Sequence, residues 1–257
     1  MKAIGIIPAR LAATRFPNKP MAQICGMPMV GHCYHRTRLS QGIEATYVAT
    51  CDPEIANYVE SIGGFAIATA DTHNRATTRT AEAIEHIEKS IGEKIDIVVM
   101  VQGDEPLTHP ETITETLNHF TDPSVNIVNI MGQPDSHEQF LDKNNVKVVV
   151  DHNQDALYFS REPIPSSWKG VEGIPMYIQT GVIAFRRNAL TDFNKLPESM
   201  LEQVESVDMN RVLEHGGKIR MVLTEGQVLG VDTPEELQLA ESFMADDPTL
   251  QRYLNHE

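Results

Sequence analysis

Apolar positions along this chain fall into short, nearly continuous runs that alternate with helical stripes. The runs at 3–7, 45–50, 65–69, 95–101 and 125–131 are rich in Ile, Val and Ala and have the length of buried strands. Between them, apolar residues recur at helical spacing over about 29–40, 53–62, 77–90 and 110–120. This alternation predicts an α/β fold: a Rossmann-like, mostly parallel sheet with helices on both faces. Several helix starts are marked. Asp52 precedes Pro53 as a capping residue before a first-turn proline, and Thr108 with Glu111 and Thr233 with Glu236 fit the capping box.

Beyond residue 150 the texture changes. Strands are expected at 146–150, 156–160 and 178–185, separated by a Pro/Gly/Ser-rich stretch over 162–175. A helix over 201–215, strands at 219–223 and 227–231, and a final helix from Thr233 complete the pattern. With no repeat and no low-complexity linker, residues 1–257 read as a single domain. It carries a small mixed β excursion at about 155–200, suited to a dimer surface.

Composition narrows the function classes. Hydrophobic residues make up 41% and charged residues 22%, as in ordinary globular chains. No run reaches the ~18 apolar residues of a membrane span, and the N-terminal apolar run is too short for a signal peptide. The three cysteines (Cys25, Cys33, Cys51) are odd in number and lack C-x-x-C spacing. They read as small buried hydrophobes in a reducing compartment, which makes the cytoplasm the expected location. A net charge of −15 argues against a nucleic-acid partner, since the field at a distance repels polyanions. An anionic ligand would need positive charge gathered locally, and Arg10, Arg15 and Lys19 supply it without an intervening acid.

Three segments carry candidate chemistry. The first is the turn after the first strand, Pro8-Ala9-Arg10 through Arg15 to Lys19-Pro20. Small residues let backbone N–H groups approach phosphate oxygens, and Arg and Lys neutralise charge on a leaving pyrophosphate. The turn matches neither the Walker A loop nor the dinucleotide fingerprint, and a solvated basic loop is the plain alternative. The second is Val101-Gln102-Gly103-Asp104-Glu105-Pro106, where a strand delivers Asp104 at its C-terminal end as a natural ligand for a divalent ion on a triphosphate. A turn aspartate is the alternative there. The third is Gly230-Val231-Asp232-Thr233-Pro234, whose Asp232 is either a helix cap or a second strand-end acid meeting Asp104. The histidines show no ligand spacing; His32 and His35 share one helix face without an acidic or thiol partner, which favours packing or surface roles.

These segments, together with Ala156-Leu157-Tyr158-Phe159-Ser160-Arg161, resemble the sugar-acid cytidylyltransferase family over nearly the whole chain, especially its branch acting on 3-deoxy-manno-octulosonate. The resemblance implies a nucleotide-diphospho-sugar-transferase-like fold, a homodimer, CTP as donor, an acidic sugar acceptor and Mg²⁺. It assigns Arg10, Arg15 and Lys19 to the triphosphate, Gln102 to the nucleotide end of the site, and Asp104 with Asp232 to metal; Ala9, Asp104 and Arg75 are read as further nucleotide contacts, with Arg75 also a candidate for gripping the acceptor's carboxylate or hydroxyls. Arg10, Lys19, Asp104 and Asp232 would be the catalytic set, and Gln179, Asp208 and Arg79 would meet the acceptor, with the excursion at about 155–200 contributing to that side.

The chain departs from the family pattern in three places. The family's His-x-Ser-Gly-Thr-acid-Arg segment reads His73-Asn74-Arg75-Ala76-Thr77-Thr78-Arg79 here, its His-Leu-Gly reads Gln179-Thr180-Gly181, and its Glu-Gln reads Asp208-Met209. Two other readings therefore stand beside the first: the same reaction on another acid, such as a nonulosonate, and a non-catalytic sugar-nucleotide sensor.

Overall fold

The computed structural model describes residues 1–12, 16–170 and 173–254. β1 (Ala3–Pro8) opens the chain, and a short hairpin of β2 (Gln23–Ile24) and β3 (Met27–Pro28) leads into α1 (Met29–Arg38). β4 (Ile43–Thr50), α2 (Pro53–Ser61), β5 (Phe65–Ala68), α3 (Ala76–Ile91), β6 (Ile97–Val101), α4 (Pro110–Asn118) and β7 (Ile127–Gly132) then alternate as the apolar pattern predicts. α5 (His137–Leu141), β8 (Lys147–Val150), β9 (Ala156–Ser160), β10 (Ile178–Arg186) and α6 (Arg187–Lys195) follow. The chain ends with α7 (Met200–Glu205), α8 (Met209–Glu214), β11 (Arg220–Leu223), α9 (Pro234–Ala245) and α10 (Pro248–Leu254).

The main sheet runs β11-β7-β10-β6-β1-β4-β5, with β8 and β9 branching from β10. Along that path only β10 is antiparallel to its neighbours, so the sheet is largely parallel. The β8–β9 pair is the mixed excursion, joined to β10 through Ile178 and Lys147. Strand alternation sorts the core into two layers. Ile4 and Ile6 of β1 pack with Ile84 of α3, Leu190 of α6 and Met209 of α8 on one face. Ala3 and Ile7 pack with Val30 of α1, Ile55 of α2 and Ile113 of α4 on the other. A third cluster joins the β2–β3 hairpin to α9 and α10.

From β1 the chain proceeds to β4 and β5 on one side, and then returns to β6 on the other. Where strand order reverses in this way, a crevice opens beyond the C-terminal strand ends, and ligand sites of open α/β sheets form there.

Five expectations need correction. The helix expected over 201–215 is broken into α7 and α8, because Ser206 takes the left-handed conformation (φ 54°) and ends the first. The segment 227–231 is not a strand; its contacts to the rest of the site are isolated, with Val231 N–H donating to Asp104 O (2.9 Å) and Gln139 Nε2 donating to Val228 O (2.9 Å). Thr108 does not cap α4, whose N-cap is His109; its hydroxyl donates instead to Glu105 O (3.0 Å). Asp52 stands at the N-cap of α2 but makes no cap bond, since its carboxylate faces the N-terminal turn. The Thr233–Glu236 capping box forms in full. Of the cysteines only Cys33 is buried; Cys25 and Cys51 are half-buried, and all three are free thiols.

Candidate active site

The turn after β1 is anchored from below and from the side. Asp52 Oδ2 accepts the Leu11 N–H at 2.8 Å, and Ala9 N–H donates to Ala49 O at 3.0 Å, so the small-residue turn is held to the end of β4. Arg10 extends across the crevice and donates through Nη1 to His73 O at 3.2 Å, with Asn74 Oδ1 at 3.5 Å. Arg15 lies outside the described residues.

Lys19 marks the centre. Its Nζ lies 2.7 Å from Asp104 Oδ2 and 2.8 Å from Asp232 Oδ1, although the two acids are far apart in sequence. Asp104 follows β6 and Asp232 precedes α9; the Val231 N–H to Asp104 O bond joins their backbones directly. Burial alone lowers the pKa of the Lys19 ammonium, but the charges and hydrogen bonds of Asp104 and Asp232 outweigh it and leave the pKa raised. Lys19 is therefore a fixed cation at working pH.

Beneath this trio sits Glu105. Its Oε1 accepts the Gly181 N–H from β10. Burial, followed by the nearby Asp104 charge, pushes its carboxyl up to about 8. Gly181 is required at this point: a Cβ there would lie 2.9 Å from both Glu105 Oε1 and Gln102 Cβ.

Two cavities meet over these residues. One, of about 560 Å³, is lined by Ala9, Arg10, Lys19, Arg79, Gln102 and Asp104. The other, of about 340 Å³, lies beside β10 and is lined by Asn145, Arg161, Gln179, Thr180, Gly181 and Asp208. Asn74, Arg75, Gln102, Asp104, Ser206 and Asp232 line both. The arrangement offers cations for a polyphosphate on one side, a polar pocket on the other, and paired carboxylates between them.

Arg75 is already engaged at this junction. Its Nη1 pairs with Asp208 Oδ1, its Nη2 lies 3.5 Å from Glu202 and 3.7 Å from Glu198, and Thr77 Oγ1 donates to the other Asp208 oxygen at 2.9 Å. Two of the departures from the family pattern thus touch one another. Arg79, assigned to the acceptor from sequence, lines only the larger cavity; its buried guanidinium donates to Thr69 Oγ1 (2.5 Å) and Ala70 O (3.2 Å). Gln102 borders both spaces, and Gln179 and Asp208 border the smaller. Trp168 is 89% exposed and lines neither. His32 is a packed core residue, held between Tyr253 (2.7 Å) and the Ile24 carbonyl (2.8 Å).

Sequence reasoning missed Asp52, Glu105 and Asn129 as site residues. Asp52 carried a local signal, but one that pointed to a helix cap. Asn129 interrupts an otherwise apolar strand, and that interruption was the available clue.

A self-contained cage of three or more His, Cys, Asp or Glu side chains is absent among the described residues. Two converging carboxylates nevertheless fit a hard divalent ion that completes its shell with phosphate oxygens and water, as Mg²⁺ does.

A family model described as cytidylyltransferase matches residues 4–219. The chain is similar to the 3-deoxy-manno-octulosonate cytidylyltransferase of Parabacteroides distasonis, at 38% identity over 255 residues, covering 96% of this chain and 99% of that protein. The enzyme of the same name from Thermodesulfovibrio yellowstonii is 40% identical over 251 residues, covering 95% and 98%. Among solved structures, CMP:2-keto-3-deoxy-manno-octonic acid synthetase complexed with CTP superposes with a TM-score of 0.86 at 36% identity, covering 95% of this chain and 99% of that one.

Proposed function

Because this chain belongs to the cytidylyltransferase family, we propose that it couples CTP to a 2-keto-3-deoxy sugar acid, 3-deoxy-manno-octulosonate or a close analogue, to give a CMP-sugar and pyrophosphate. The observation that carries this reading is the meeting of Lys19, Asp104 and Asp232 at the junction of two adjoining cavities.

The larger cavity suits the triphosphate. Ala9 lines it, and Arg10 and Lys19 offer charge where the pyrophosphate departs. Arg15, in the same turn, joins them on the sequence evidence. Gln102 borders the nucleotide side, and the smaller cavity takes the acceptor against Gln179 and Asp208. The acceptor's anomeric hydroxyl attacks the α-phosphorus in line; a new O–P bond forms as the bond to the bridging oxygen of pyrophosphate breaks. Such transfers ask the protein for positioning and charge neutralisation rather than covalent chemistry. Asp104 and Asp232 would hold Mg²⁺, which supplies Lewis-acid neutralisation of the phosphates and lowers the pKa of the attacking hydroxyl.

The chain would act as a homodimer through the β excursion. Leu157 on β9 and Met200 and Val204 on α7 are exposed, and Glu205 ties the two elements by accepting from Tyr158 and Ser160 (2.9 Å each). Sedimentation of the purified protein tests this, with dimers expected, and monomers after Leu157→Asp combined with Val204→Asp. A wild-type monomer at micromolar concentration would refute it. Half-buried free thiols suit a reducing, cytoplasmic setting, and no helix among the described residues is long and apolar enough to cross a membrane.

Pyrophosphate release from CTP and Mg²⁺ with a panel of 2-keto-3-deoxy acids and nonulosonates tests the reaction. Turnover is expected with at least one octulosonate. Tight CTP binding without turnover of any acid would overturn it in favour of a sensor.

A further inference from the structure

β10 is irregular where it borders the smaller cavity: its pairing with β7 shifts register between Gln179 and Ile183. The side chain of Asn129, fully buried on β7, fills the gap left in the ladder. Its Nδ2 donates to Val182 O (2.8 Å), Thr180 O (3.1 Å) and Ile130 O (3.2 Å). Only the amino end of an amide can face carbonyls, so the orientation of Asn129 is fixed by chemistry, and its Oδ1 must point the other way. There it accepts from Gln179 Nε2 at 2.6 Å.

This fixes Gln179 in turn. One N–H of its amino end is committed to Asn129, which fixes which way the amide faces, and its Oε1 has no hydrogen-bond partner among the described residues, although the side chain lines the cavity beside Thr180 and Gly181. A glutamine free to turn over would serve a donor or an acceptor alike; this one offers an oxygen.

We propose that Gln179 is a specificity-determining residue that accepts a hydrogen bond from a hydroxyl of the acceptor sugar and does not bind its carboxylate, with Asn129 as the positioning residue that imposes this polarity. The inference rests on the transferase reading above. It assigns the acceptor's orientation, with a donor-bearing carbon turned toward β10. An amide oxygen repels a carboxylate, so the acid end lies away from Oε1.

The test is kcat/KM for wild type, Gln179→Leu and Asn129→Ala with the parent octulosonate, each singly deoxygenated analogue, and the analogue whose carboxylate is reduced to an alcohol. Wild type should lose roughly 10- to 100-fold on one deoxy analogue, the value of a hydrogen bond into a desolvated site. Gln179→Leu should lose a similar factor on the parent acid and no longer distinguish it from that analogue. Asn129→Ala should blunt the same discrimination while leaving the KM for CTP unchanged, an outcome that loss of packing alone would not give. Thermal melting and CTP affinity identify a misfolded Asn129 variant, and in that event Gln179→Leu decides alone. Undiminished discrimination by Gln179→Leu on every deoxy analogue, or loss of discrimination only against the reduced analogue, would overturn the proposal. Failure of wild type to turn over any acid of the panel would instead sink the transferase reading.

Discussion

Asp104 and Asp232 are far apart in the sequence, yet one ammonium touches both, and this sets the largest single-residue effects. Asp104→Asn and Asp232→Asn are each expected to lower kcat about 10²-fold or more with Mg²⁺ present, as when a preorganised electrostatic contact is removed, while the fold is kept. Steady-state kinetics checks this, and near-normal rates in both would contradict the assignment. His32 contributes to pH stability instead. Burial, against the opposing pull of the Ile24 carbonyl and with help from the Arg36 charge, lowers its pKa from 6.5 to about 4. The folded state therefore keeps it neutral while the unfolded chain takes up a proton. Its contribution is complete above pH 6.5 and is lost as pH falls toward 4, up to about 3 kcal/mol. Urea midpoints at pH 7 and pH 4.5 should diverge in wild type, and the gap should narrow in His32→Gln.

At the scale of elements, the alternation of apolar runs and helical stripes made the order β1, α1, β4, α2, β5, α3, β6, α4, β7 legible, because buried parallel strands are apolar on both faces. The break between α7 and α8 was not legible. Apolar spacing runs through it, and the left-handed turn at Ser206 becomes visible only when Asp208 is found paired with Arg75 across the crevice. The apolar residues at 227–231 imitate a strand because Val228 and Val231 are buried, but they are buried over the strand ends rather than within the ladder. Asp104 was legible as a strand-end carboxylate, whereas Asp232 was singled out through a strand that the structure lacks; the residues that hold the N-terminal turn and Gln179 were not legible, since Asp52 and Asn129 act through long-range backbone contacts that no local pattern encodes. Asp52→Ala should free the N-terminal turn from β4 and raise the KM for CTP roughly five- to tenfold, the worth of one buried hydrogen bond, with kcat less affected. An unchanged KM would mean that the turn is held by Ala9 alone.

Across the whole molecule, a strongly acidic chain brings Arg10, Lys19, Arg75 and Arg79 to one switch point of the sheet, between β1 and β6, and aligns two cavities across it. On the proposed reading, triphosphate and acceptor take opposite sides of one pair of carboxylates. The most direct test is anomalous diffraction from crystals grown with CTP and Mn²⁺ in place of Mg²⁺. A manganese peak is expected at bonding distance, about 2.1 Å on the scale of Mg²⁺ ligands, from an oxygen of both Asp104 and Asp232, with Lys19 Nζ moved onto a phosphate oxygen. A triphosphate seated with its metal away from both acids, and Lys19 still bridging them, would contradict the account.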